Sequence, residues 1–95
     1  MDDDQLCDKM TELAETFPCL RGAPGVSPWA PAELGRWAAG PASHGERATA
    51  NFVLAVWDGS AGSEAGGFDL MEALRVWPPD HRGPFLKWAS DPWWP

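Results

Sequence analysis

Ser43-His44-Gly45-Glu46-Arg47-Ala48-Thr49-Ala50-Asn51-Phe52-Val53-Leu54-Ala55-Val56-Trp57 is the stretch on which the fold turns. From Phe52 to Trp57 every position is apolar, which suits a buried strand as well as a buried helix. The upstream half decides between them. Ser43 with Glu46 three residues later is a reciprocal capping pattern, in which each side chain satisfies the other residue's backbone N–H. Helix 44–57 is therefore expected, and its all-round apolar character places it at the centre of the molecule.

Other helices follow on both sides. Over residues 2–17, Leu6, Met10, Leu13 and Phe17 recur on one helical face, while Asp4, Asp8, Glu12 and Glu15 recur on the other. Aspartates at the start favour the positive end of the helix dipole, and Pro18 stops the segment. Pro31 opens a helix that Gly40-Pro41 ends, with Leu34, Trp37 and Ala38 turned inward. Asp69 and Glu72 repeat the capping pattern, Leu70, Ala73, Leu74 and Trp77 are expected to line the inner face, and Pro78-Pro79 terminate that helix. Asp80 is expected to cap a last helix to about Ala89, carrying His81, Phe85 and Trp88 on one face. Gly83 and Pro84 should fray its first turn. No segment alternates as a strand would. The expected fold is all-α, a compact bundle of about five short helices with a Trp-rich core. Residues 1–95 read as a single domain with a flexible Gly/Ser loop at 58–67 and a Trp/Pro tail at 91–95.

Seven tryptophans and four phenylalanines supply that core, while tyrosine is absent. One tryptophan buries about 150–250 Å², so few residues fill a small interior. Two cysteines do not make a disulfide framework, the start is acidic where a signal peptide is basic, and no apolar run reaches a membrane-spanning length. A cytoplasmic, reducing location with no membrane contact is expected. Abundant Ala, Gly, Pro and Arg beside scarce Lys and absent Ile fit GC-rich coding and suggest a bacterial protein. Of the net charge of −7, residues 1–20 carry −5, residues 21–57 carry +1 and residues 58–95 carry −3. The absence of a basic stripe argues against direct nucleic-acid binding.

Candidate sites divide into two groups. The stripe His44, Arg47, Asn51 lies on the helix expected to be most buried, where polar groups need partners. Histidine there would serve as acid or base, and arginine would hold a carboxylate or phosphate. The plainer reading leaves His44 and Arg47 in water and Asn51 bonded to a loop carbonyl. Partner-binding candidates are Asp4, Asp8, Glu12 and Glu15, together with Trp93 and Trp94 of the tail, since indoles are enriched at interface hot spots. Against these stand a solvated acidic face and a tail that folds back on its own helices. Cys7, Cys19, His44 and His81 are the soft ligands, and none is paired at zinc-site spacing, so no metal and no cofactor are expected. The Gly59–Gly67 stretch lacks the Lys-Ser/Thr ending of a phosphate cradle and reads as a linker. No catalytic constellation stands out. The first functional reading is a non-enzymatic protein–protein interaction or regulatory module, monomeric or homodimeric, with an unknown protein partner. The alternatives are an acidic inhibitor mimicking nucleic acid through helix 2–17, and a small-molecule site or enzyme around His44, Arg47 and Asn51.

Overall fold

The computed structural model describes residues 3–58 and 67–95, apart from the side chain of Asp3. The loop expected at 58–67 thus lies, from Gly59 to Gly66, outside the described residues. Among the described residues the chain is all-helical: α1 (Asp3–Glu15), a short 3-10 turn (Pro18–Leu20), α2 (Pro31–Ala39), α3 (His44–Asp58), α4 (Leu70–Val76) and α5 (Pro79–Ser90). No helix among them is long and apolar enough to cross a membrane.

α3 is the central element, packed against α1, α2, α4 and the 3-10 turn. Both bonds of its cap form: the Glu46 N–H donates to Ser43 Oγ at 3.2 Å, and the Ser43 N–H to Glu46 Oε1 at 2.7 Å. Every residue from Ala48 to Leu54 is buried. Phe52 is the hub of the aromatic cluster, meeting the rings of Phe17, Phe68, Phe85 and Trp88 edge-on at 5.2–5.6 Å between centroids. Of the tryptophans only Trp29 and Trp77 are buried; Trp37, Trp57, Trp88 and Trp93 are half-buried around the cluster, and Trp94 is exposed.

The structure corrects several expectations. α1 ends at Glu15 rather than Phe17, because Pro18 disfavours helical geometry in the residue before it and Phe17 adopts an extended φ of −94° and ψ of 119°. Phe17 nevertheless stays fully buried. The cap of α5 is Pro78 with Pro79 as first helical residue, not Asp80, whose carboxylate is taken by the His81 ring. α5 then runs unbroken through Gly83 and Pro84 to Ser90. At α4 half the capping box forms: the Glu72 N–H donates to Asp69 Oδ1 at 3.1 Å, while the Glu72 carboxylate turns to His44 and Arg75. Of the four residues expected on its inner face, Ala73 and Trp77 are buried, whereas Leu70 and Leu74 are exposed.

The segment between the 3-10 turn and α2 packs tightly. Thr11 Oγ1 donates to the Val26 carbonyl at 2.6 Å, and Val26 and Trp29 are both buried. Gly25 makes this possible. Its φ is +83°, and a Cβ there would lie 2.5 Å from the Ala30 carbonyl oxygen and from the Leu34 nitrogen.

Candidate functional site

A concavity of about 470 Å³ lies between α1 and the end of α5 with the tail. Lys9, Glu12, Leu13 and Thr16 form one wall, at the spacing that aligns side chains along a helix face. Pro84, Lys87 and Trp88 of α5 form the other, and Trp93 of the tail reaches across. Two contacts hold the tail at Trp93. Trp88 Nε1–H donates to the Trp93 carbonyl at 3.1 Å, and Lys9 Nζ sits 4.2 Å from the Trp93 ring centroid, within cation–π range. Trp94 packs edge-on against Trp88 at 5.4 Å yet keeps 59 % of its surface exposed. The tail therefore docks one indole and presents the other.

Of the partner-binding candidates, Glu12 and Trp93 meet at this groove. Asp4, Asp8 and Glu15 stay exposed along α1 and do not line it. Among the described residues none of these four carboxylates enters an ion pair; the ion pairs are His44–Glu72, Arg75–Glu72 and His81–Asp80.

His44, Arg47 and Asn51 do share a cleft, a smaller one of about 220 Å³ completed by Gly67, Asp69 and Glu72. One turn of α3 after another brings the three to one side, and α4 closes it with Glu72. His44 Nε2 lies 2.8 Å from Glu72 Oε1, and Arg47 Nε donates to the Ala38 carbonyl at 2.9 Å. Asn51 is buried. The arrangement orients an imidazole against a carboxylate beside a guanidinium. Among the described residues no thiol or hydroxyl side chain lines the cleft to act as a nucleophile.

A second histidine site escaped the sequence reading. His81 packs on the face shared with Phe85 and Trp88, and both of its ring nitrogens are engaged. Its Nδ1 is 2.7 Å from Asp80 Oδ1, and its Nε2 accepts the Cys19 backbone N–H at 3.3 Å. That pattern specifies the tautomer with the proton on Nδ1. The Nε2 lone pair is spent on backbone, so the ring ties α5 to the 3-10 turn instead of serving as a base. Cys19 is equally unsuited to catalysis: burial pushes its thiol above the ordinary range, against a lowering hydrogen bond to Thr49. Both cysteines are free, and among the described residues no three His, Cys, Asp or Glu side chains gather as a metal site would require. The adjacency Asp80-His81 was a visible signal; the distant Cys19 N–H was not.

No protein-family model matches this chain, and neither a curated protein nor a solved structure is detectably similar to it.

Proposed function

We propose that this protein is a small non-enzymatic interaction module whose partner surface is the groove between α1 and the α5 tail, with Trp94 at its edge. The observation that carries the reading is the meeting of Glu12 and Trp93, far apart in sequence, in the 470 Å³ concavity. Half-buried indoles with polar neighbours are the composition of interface hot spots. The free cysteines and the acidic, GC-biased composition support a bacterial protein of the reducing cytoplasm. Affinity capture from the native host tests the reading, with the intact chain as bait beside its Trp93→Ala/Trp94→Ala variant. A defined protein should be retained by the first and lost by the second. An identical catch with both baits, or none with either, contradicts it.

A second reading, a small-molecule site in the α3–α4 cleft, is favoured by the convergence of His44, Arg47 and Asn51 with Glu72. It ranks lower because Arg47 Nε and His44 Nε2 already have protein partners and the cleft is small for a ligand site. A ligand that protects the fold thermally in the parent, and not in Arg47→Ala, would promote it above the first.

A further inference from the structure

We propose that the α1–tail groove takes a basic polypeptide segment, seating a lysine or arginine side chain on the Trp93 indole beside Glu12 and Asp91. The inference deepens the interaction reading by naming the chemistry of the partner. Charge complementarity carries it. Glu12 stands in the wall of the groove and Asp91 at its far side, while Asp4, Asp8 and Glu15 extend the same charge along α1. Residues 1–20 hold −5 of the total charge of −7, and none of the four α1 carboxylates is ion-paired among the described residues. Within the lining Glu12 and Asp91 are matched in number by Lys9 and Lys87, so the net negative charge of this side is that of Asp4, Asp8 and Glu15 on the adjoining α1 face. A face of net charge beside a concave surface draws in and orients a partner of the other sign.

The aromatic wall points the same way. An indole face attracts ammonium and guanidinium groups, and the Trp93 face already does so, holding the chain's own Lys9 at 4.2 Å. Lys9 is thus an internal stand-in that an incoming cation displaces. Leu13, Pro84 and Trp88 offer apolar surface for the methylene stem behind the charge. Lys87 opposes an incoming cation and is the one other positive group in the lining. Nucleic acid and anionic lipid surfaces have the wrong sign for this face.

The probe is an arginine–alanine peptide, compared with its glutamate–alanine counterpart, with binding read from indole N–H shifts in 15N spectra of the whole chain. The arginine peptide should move the Trp88 Nε1–H saturably, bind more weakly with added salt, and lose about tenfold in affinity in Trp93→Ala. Glu12→Gln/Asp91→Asn should weaken it too. Lys9→Ala should strengthen it, and by more than Arg36→Ala, which removes an equal charge from α2 outside the groove. Circular dichroism confirms that each variant is folded; if Trp93→Ala is not, the Glu12→Gln/Asp91→Asn and Lys9→Ala comparisons carry the test. No saturable shift, equal binding of the glutamate peptide, or equal effects of Lys9→Ala and Arg36→Ala would overturn the proposal. Failure with both peptides while host-protein capture still depends on Trp93 and Trp94 removes the basic partner and leaves the interaction module standing.

Discussion

Trp77 Nε1–H donates to Thr49 Oγ1 at 2.7 Å, a bond in the interior between α3 and the residue that follows α4. Thr49 passes its own proton to the Gly45 carbonyl at 2.8 Å, so the indole, the hydroxyl and the α3 backbone form one chain. Trp77 also lies beside Phe17 and Phe52, at 5.8 and 6.4 Å between centroids. One side chain thereby satisfies its polar atom and completes the aromatic cluster.

Thr49→Val keeps the shape and strands the buried Trp77 N–H, so it should destabilise by about 1–3 kcal/mol. Trp77→Phe removes the donor and part of the ring. A double-mutant cycle in urea should give a coupling near 1 kcal/mol between the two. Additive effects would mean the bond is absent. Trp77→Ala, which opens a cavity at the cluster, should lose about 3–5 kcal/mol. Trp57→Ala and Trp88→Ala should each lose less, since those rings are half-buried.

Gly25→Ala and Gly22→Ala separate crowding from backbone geometry. Both glycines have φ above +80°, but a Cβ at Gly22 meets nothing within 4 Å. Gly22→Ala should cost about 1–2 kcal/mol from the left-handed conformation alone. Gly25→Ala should cost distinctly more, because backbone at Ala30 and Leu34 must move. Equal melting temperatures would refute the close approach.

Ser43→Ala should cost about 1 kcal/mol by leaving the Glu46 N–H without its acceptor, while Ser43→Gly costs a few tenths. Thermal melts of the three chains read the difference directly. No loss in the alanine variant would show that the cap is not formed in solution.

Cys19 gives the fold an alkaline limb. Burial raises its thiol pKa in the folded state, so the native chain holds this proton more tightly than the unfolded chain. Its contribution is fully present below the unfolded thiol value of roughly 8.5 and is lost as pH rises through the higher folded value. Urea unfolding of Cys19→Ala should therefore lack part of the alkaline loss seen in the parent. In a Cys7→Ala background, alkylation of Cys19 should be slower folded than in denaturant. Matching rates would place the thiol in open solvent.

Much of this architecture was written in local signals. The Ser43–Glu46 cap and the run to Trp57 identified α3, and the apolar spacing of Leu6, Met10 and Leu13 identified α1. Pro31 marked its helix start correctly because a missing N–H is tolerated there. Asp80 misled because Pro79 competes for the same start and its fixed φ suits the first helical turn. Burial was harder to read. Trp29 and Trp77 are the buried pair, each two residues ahead of the proline that opens the next helix, whereas Trp37 and Trp88, in the last turns of their helices, are half-buried. Packing around Val26 and Gly25 left no periodicity to detect. For the sites, the turn-by-turn spacing of His44, Arg47 and Asn51 placed them on one side of α3. The meeting of Glu12 with Trp93 depends on a tertiary return that no local pattern encodes.

The most direct test of the docked tail is proton NMR of the free chain in solution. Stacking under the Trp93 ring should shift the Lys9 ε-methylene protons upfield and give cross-relaxation between them and the indole, while Trp88 Nε1–H exchanges slowly. Random-coil Lys9 shifts with a rapidly exchanging Trp88 Nε1–H would mean the tail is detached and the groove does not exist.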